Sequence, residues 1–244
     1  MRIVHSADCH GAIDSYKAIR KIGSEQTLFL DSGDTLFGSN TAFRLNEPNL
    51  AIMSEIGYHC MTMGNRELHY IPAIMERRAS QRSFPLLAAN LVELWGRPKT
   101  WQDGVSLRLG SLKVGVFGMT VVQYPVGSFY EKVFGLRFLP PETLIEHLVA
   151  SYQADHDLVI FLSHLGVDWD RRLARQLQAK PHLKCDLILG GHTHATFLEP
   201  EVLGHTRLSH IGANGSGYGV WQRTKEDWEF HFVSTLSEAE VALR

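Results

Sequence analysis

The stretch Leu189-Gly190-Gly191-His192-Thr193-His194 constrains this chain more than any other. It follows an apolar run, Cys185 to Leu189, that reads as a buried strand, so two imidazoles stand where a strand ends and a turn begins. That is where α/β sheets hold ligands. The two glycines allow positive φ and a close approach of the backbone to whatever the imidazoles hold. Taken alone, a pair of satisfied loop histidines would look the same. The reading depends on whether other strand ends repeat the pattern.

They do. Arg2 to Ser6 reads as a strand, followed by the turn Ala7-Asp8-Cys9-His10-Gly11 and an amphipathic helix over Ile13 to Ile22. Thr27 to Leu30 is a second apolar strand, ending in Asp31-Ser32-Gly33-Asp34, which puts Asp34 where Asp8 stands after the first. A helix over Pro48 to Ile56 leads to a third strand, His59 to Met63, and the turn Gly64-Asn65-Arg66-Glu67-Leu68-His69. A helix from Ile71 to Arg82, with Pro72 in its first turn, precedes a fourth strand over Phe84 to Asn90. Val105 to Leu109 and Leu112 to Phe117 flank Gly110-Ser111 as a hairpin, while Tyr124 to Leu139 reads as a long loop forming one wall of a cleft. Pro140-Pro141 opens a helix to about Ala154, Leu158 to Leu162 is a buried strand ending at Ser163-His164, and Asp168 to Gln178 is a helix. Gly212 to Gly219 is too glycine-rich for a regular element. With no repeat, low-complexity tract or linker, a single domain is expected over residues 1–244.

Composition narrows the function. With 44% hydrophobic residues, 20% charged residues and a net charge of −2, membrane-spanning and disordered classes are set aside, and no basic footprint for nucleic acid or an anionic membrane is present. The N-terminus enters a strand directly without a signal peptide, and Cys9, Cys60 and Cys185 lie in or beside apolar strands. A cytoplasmic protein with reduced core thiols is expected.

Asp8, His10, Asp34, Asn65, His164, His192 and His194 thus end successive apolar runs, and a parallel sheet would bring them to one edge. Mixed nitrogen and oxygen donors suit Mn, Fe, Co, Ni or Zn rather than the all-oxygen shell of Ca or Mg. They are too many for one ion; with one carboxylate bridging they divide into two sets of four.

Asp8-x-His10, Gly33-Asp34-x-x-x-Gly38, Gly64-Asn65-x-Glu67, Ser163-His164 and Gly190-Gly191-His192-x-His194 resemble, in order and spacing, the motifs of the calcineurin-like metallophosphoesterases. The Ser-Gly-Asp form of the second motif is most similar to the catalytic domain of the 5'-nucleotidase branch. The resemblance implies a four-layer αββα sandwich of two mixed sheets flanked by helices. It also implies two divalent ions, one held by Asp8, His10, Asp34 and His194, the other by Asp34, Asn65, His164 and His192. Two ions roughly 3.5–4 Å apart can share and acidify a bridging hydroxide that attacks a phosphate monoester. The partner is then a small phosphorylated substrate, nucleotide-like or another organophosphate.

Two departures from the family stand out. The histidine usual after Gly-Asn is Arg66, and His69 replaces the aspartate that orients it. Arginine stays charged throughout the useful range, so it can hold a phosphate oxygen bidentately but cannot donate a proton. Catalytic roles therefore fall to Arg66 as clamp and to His69 as proton donor or water-positioning group. The alternatives are an enzyme without an acid that cleaves only good leaving groups, a phosphodiesterase, and a catalytically silent metal- and phosphate-binding module. Secondly, the nucleotidases it resembles carry a further C-terminal domain that stacks the base. Selectivity is then expected from loops such as Gln123 to Leu139, or from a second subunit of a homo-oligomer.

Other features have plainer readings. His5 is expected to support its turn, Cys9 to face the core, Asn90 to cap a turn, and Trp101, Trp221 and Trp228 to pack on sheets. Arg171, Arg172 and Arg175 with Asp168 and Asp170 read as a solvated helix face.

Overall fold

The computed structural model describes residues 1–42, 44–224 and 227–236, so residues 237–244 of the expected single domain lie outside the described residues. In chain order the elements are β1 (Arg2–Ser6), α1 (Asp14–Ile19), β2 (Thr27–Asp31), α2 (Pro48–Ile56), β3 (Cys60–Thr62), α3 (Pro72–Ser80), β4 (Leu86–Leu87) and β5 (Leu91–Glu93). Then come β6 (Gly104–Leu109), β7 (Leu112–Thr120), α4 (Phe129–Phe134), β8 (Leu136–Phe138), α5 (Pro141–Gln153), β9 (Leu158–His164) and α6 (Val167–Gln178). The last are β10 (Leu187–Gly190), β11 (Glu201–Leu203), β12 (Thr206–His210), β13 (Gly217–Arg223) and β14 (Trp228–Ser234).

Two six-stranded sheets carry the fold, ordered β14-β13-β1-β2-β3-β4 and β11-β12-β10-β9-β7-β6, with β5 and β8 forming a small third sheet. Strands β1 to β4 run parallel in the first, and β7, β9, β10 and β12 in the second. Side chains alternate across each strand, which explains the unbroken apolar runs. Ile3, Leu28, Leu30 and Cys60 point from the first sheet into a core shared with Val116, Ile160, Leu162, Leu187 and Leu189 of the second. Their neighbours Val4, Phe29 and Met61 face Tyr16, Leu50, Met53 and Met75 of the first sheet's helices. Val159, Phe161 and Ile188 face Ile145, Val149, Leu173 and Leu177 of α5 and α6. The result is the four-layer αββα sandwich.

Local chemistry sets several boundaries. Pro48, Pro72 and Pro141 open their helices, where a missing N–H is harmless, and Gly57 ends α2 in the left-handed region at φ 88°. Helix α1 is shorter than the Ile13–Ile22 periodicity predicts, and the expected fourth strand shrinks to Leu86–Leu87.

Three expectations need larger correction. One parallel sheet does not gather the candidate ligands; the facing ends of two sheets do. The stretch from Tyr124 to Leu139 is no plain loop, since it contains α4, capped by Ser128, and β8, which pairs with β5. Gly217 and Gly219 belong to β13, with Gly219 opposite His5 of β1. A Cβ on Gly219 would lie 2.9 Å from the Phe230 ring, so glycine there fits tight sheet packing rather than a turn. Among the described residues, no helix is long and apolar enough to cross a membrane.

Candidate metal centre

The ends of β1, β2 and β3 build the first half of the site. Asp8 and His10 follow β1, Asp34 follows β2, and their turns are tied by bonds from the Asp8 N–H to Gly33 O (2.8 Å) and the His10 N–H to Asp34 O (2.9 Å). A buried carboxylate, Glu67, fixes the middle turn by accepting the N–H groups of Asp34 (2.8 Å), Thr35 (2.9 Å), Leu36 (3.3 Å) and Gly64 (2.8 Å). A Cβ on Gly64 would stand 2.4 Å from the Asp34 nitrogen, so only glycine lets these turns meet. The Arg66 N–H donates to Asp34 Oδ1 at 2.8 Å.

The ends of β9 and β10 build the second half. His164 is fully buried, and its Nδ1 donates to Ser32 O at 2.6 Å, which leaves Nε2 facing Asp34 Oδ1 at 3.5 Å. The His192 N–H reaches across to both carboxylate oxygens of Asp8 at 3.1 and 3.0 Å. A Cβ on Gly191 would meet that carboxylate at 2.9 Å, and one on Gly190 would meet His210 Nε2 at 2.1 Å. Close approach explains both glycines; positive φ does not. The left-handed conformation falls instead on His192 (φ 80°) and His194 (φ 57°).

Among the described residues, the non-glycine positions with positive φ are Asp8, His10, Gln26, Asp34, His192, His194 and Asn214. Five of these are candidate ligands, and Asn214 Oδ1 accepts from His10 Nδ1 at 3.1 Å. Such conformations cost about 1–3 kcal/mol each in ordinary residues, and their clustering marks a functional centre.

The ligand atoms converge. Those of Asp8, His10 and His194, and those of Asp8, Asp34 and His164, lie within 4.8 Å of one another. His10 Nε2 is 3.5 Å from Asp34 Oδ2 and 3.9 Å from Asp8 Oδ1, and His194 Nε2 is 3.7 Å from Asp8 Oδ1. These separations are too long for hydrogen bonds but suit donors arranged around a cation. Both His10 Nε2 and His164 Nε2 are buried without a hydrogen-bond partner among the described residues. The donor set therefore fits divalent metal. His192 is not in either group, though its ring centroid is 5.2 Å from that of His164, and the Asn65 Oδ1 accepts from Gln123 Nε2 at 3.4 Å.

Electrostatics of the metal-free site point the same way. Burial raises Asp8 to about 6. Burial opposes the charge on Asp34, yet His164 and His10 hold it well below the usual carboxylate range. Burial likewise disfavours the charged form of His164, but Asp34 and Asp8 overcome it and push the imidazole up to about 10. Burial and neighbouring imidazoles depress His192 and His194, leaving their lone pairs available.

The residues replacing the family's acid are placed differently from one another. Arg66 is half-buried, and its Nη1 donates to the carbonyls of Leu36 (3.3 Å), Phe37 (3.1 Å) and Gly38 (3.3 Å). His69 is buried, its Nδ1 accepts the Ile71 N–H at 3.1 Å, and it lines a cavity with Pro72, Met75, Trp101 and Leu136. Burial and the Arg78 guanidinium lower its basicity.

The supporting roles of several groups are absent from the sequence reading. Glu67 stands in the third motif and Gln123 opens the Gln123 to Leu139 loop without any sign of the bonds they make, and Asn214 carries no pattern that marks it in advance. Asp170 does: far from solvated, it is fully buried, bonded by Ser163 Oγ and by His210 Nε2 at 2.9 Å. Its position among Val167, Leu173, Ala174 and Leu177 on the buried stripe of α6 is the helical signal that reveals it. His5, Cys9 and Trp221 are buried as expected, and Asn90 clasps the Thr120 backbone through both amide atoms at 2.8 Å.

A family model described as Calcineurin-like phosphoesterase matches residues 1–196. Among curated relatives, the uncharacterized metallophosphoesterase YunD of Bacillus subtilis is 26% identical over 241 residues, covering 92% of this chain and 50% of its own length. The 5'-nucleotidase of Vibrio cholerae is 24% identical over 223 residues, covering 79% of this chain and 40% of its own. The chain thus spans half or less of these relatives. The solved 5'-nucleotidase precursor from Thermus thermophilus superposes with a TM-score of 0.73 at 18% identity, over 96% of this chain and 54% of that one. At that identity the likeness carries the fold alone.

Proposed function

The chain belongs to the calcineurin-like phosphoesterase family, and from that premise we propose that it hydrolyses a phosphate monoester, a nucleotide or another small organophosphate. Asp8, His10, Asp34 and His194 would hold one divalent ion, and Asp34, Asn65, His164 and His192 the other. Such a pair supplies Lewis acidity, acidifying water and offsetting charge as phosphorus becomes five-coordinate. The observation that carries this reading is Asp34, whose two oxygens stand 3.5 Å from two different buried, orphaned imidazole nitrogens, one from each set of ligands.

The chain's own groups then divide the work. Asp8 is oriented by the His192 N–H, and His10 by Asn214. Arg66 is anchored through Nη1, while Nε and Nη2 form no hydrogen bond among the described residues and present an edge for a phosphoryl oxygen. Since His69 accepts a hydrogen bond at Nδ1, its basicity is depressed and the cavity it lines holds none of the candidate ligands, it is ill suited to protonating the leaving group. Esters with weakly basic leaving groups would be favoured. The described residues would act as one catalytic unit, and the buried free thiols Cys9, Cys60 and Cys185 suit the reducing cytoplasm.

The test is metal analysis of the purified protein together with turnover of a panel of mono- and diesters in Mn2+. Two ions per chain and faster cleavage of p-nitrophenyl phosphate than of bis(p-nitrophenyl) phosphate are expected. Preference for the diester would make it a phosphodiesterase. Metal without turnover would favour the second reading, a silent phosphate-binding module, which the Arg66 substitution motivates.

A further inference from the structure

We propose that Phe37 and Arg44 form a subsite for a second anionic group, carried by the substrate beyond the phosphate at the metal centre. The inference rests on the phosphoesterase reading above. It concerns the rim of the site, where two guanidinium groups meet on one residue.

Phe37 is 42% exposed, unusual for a phenylalanine beside a buried centre. A Cβ on Gly11 would lie 2.3 Å from its ring, so the ring presses against the backbone directly after the candidate ligand His10. The Arg44 guanidinium carbon stands 4.3 Å from the ring centroid. The carbonyl of the same phenylalanine accepts Arg66 Nη1 at 3.1 Å. Phe37 thus carries one cation on its ring and another on its backbone.

Neither arginine forms an ion pair among the described residues. The nearby Glu47 carboxylate is engaged by the N–H groups of Phe37 (3.0 Å) and Gly38 (3.1 Å), which fixes the turn. A cation held over an aromatic face is restrained in position while its charge stays uncompensated. By contrast, Arg97, Arg137, Arg171 and Arg172 all have carboxylate partners. An arginine that, among the described residues, rests on an aromatic ring without a carboxylate partner beside a phosphate site is arranged to receive an anion. Arg66 would meet the phosphate undergoing reaction, and Arg44 the next negative group. The substrate class is then a phosphate ester whose leaving group bears a further phosphate or a carboxylate; a neutral alcohol would leave Arg44 unused.

Binding can be measured without turnover. Isothermal titration of the Mn2+-loaded protein with 3-phosphonopropionate and with propylphosphonate compares two ligands that share a phosphonate and differ in the distal carboxylate. The carboxylated ligand is expected to bind about fivefold tighter, as an exposed charge pair of that strength gives. Arg44→Ala should abolish that preference and Arg44→Lys retain part of it, with the thermal midpoint reporting folding of each variant. Equal affinities in the unsubstituted protein would overturn the subsite while leaving the metal centre intact. A preference that persists in Arg44→Ala would also overturn it. Failure of both phosphonates to bind would sink the phosphoesterase reading and the subsite with it.

Discussion

The two sheets contribute unlike halves to one centre. The first supplies Asp8 and Asp34, 0% and 5% exposed, on turns that Glu67 and backbone bonds hold in left-handed conformations. The second supplies imidazoles in a gradient, from fully buried His164 to His194 with a side chain 46% exposed. The first half therefore brings the buried negative charge on rigid turns, and the second brings imidazoles that run from the interior to the surface. A cation held there would neutralise the buried carboxylates and let an anion approach over the histidines. Rigidity on the carboxylate side suits this order, because two close carboxylates repel until a cation fills the gap.

Removing the group that faces both halves should have the largest effect. Asp34→Asn keeps the shape but removes the charge shared by His10 and His164, and a fall in kcat on the order of 10³-fold or more is expected, with loss of bound metal. His194→Ala, on the exposed side, should be milder. Metal content by mass spectrometry and kcat under saturating Mn2+ check both. Equal effects would erase the distinction between a buried and an exposed ligand.

The next test compares the supports. Glu67→Gln leaves two of four backbone N–H groups facing an amide nitrogen, and a loss of about 2–3 kcal/mol in stability is expected. Asp170 binds Ser163, next to His164, and His210, whose carbonyl accepts the Phe197 N–H of the chain beyond His194. Asp170→Asn retains one good acceptor, so about 1–2 kcal/mol is expected. Urea unfolding of the metal-free proteins measures both, and a larger loss in Asp170→Asn would place the rigid half on the other sheet.

The candidate ligands of both halves are legible in the sequence, since His164, His192 and His194 end apolar runs as Asp8 and Asp34 do; the supports of the second half are not. Asp8, His10 and Asp34 follow apolar runs whose length and turns announce them, and Pro48 and Pro72 mark their helices directly. Asp170 is hidden because three arginines around it suggest a wet face, although its spacing from Val167 and Leu173 belongs to the buried stripe. The glycines Gly190 and Gly191 suggest positive φ because composition cannot distinguish conformational freedom from lack of room; only the packed neighbours His210 and Asp8 decide. Strand β13 is obscured for the same reason, its glycines answering to Phe230 and Phe232 across the sheet. What sequence patterns miss here is set by contacts between distant segments.

At neutral pH the smallest expected effect is at the seam between the halves, and it grows on acidification. His5 on β1 bonds Ser32 Oγ at 2.8 Å, and that hydroxyl donates to Leu189 O of β10 at 2.6 Å, so one chain of bonds crosses the sheet interface. Burial, with a smaller contribution from His210, lowers the His5 imidazole from 6.5 to about 3. Between those values the unfolded chain binds a proton that the folded chain refuses, so this residue makes stability fall as pH drops below 6.5, by up to about 1.4 kcal/mol per pH unit. Asp8 and Asp31 act in the opposite sense, since burial raises them to about 6 and about 7 and their folded-state protonation favours folding as pH falls. The slope in the unsubstituted protein sums these opposing contributions, and the difference from His5→Asn isolates the imidazole. In EDTA, urea unfolding from pH 6.5 to 4.5 should show His5→Asn gaining on the parent protein as the solution is acidified, whatever its deficit at neutral pH. A constant difference across that range would mean that His5 takes up its proton in place, and that the two halves are joined by something more accommodating than a sealed hydrogen-bonded seam.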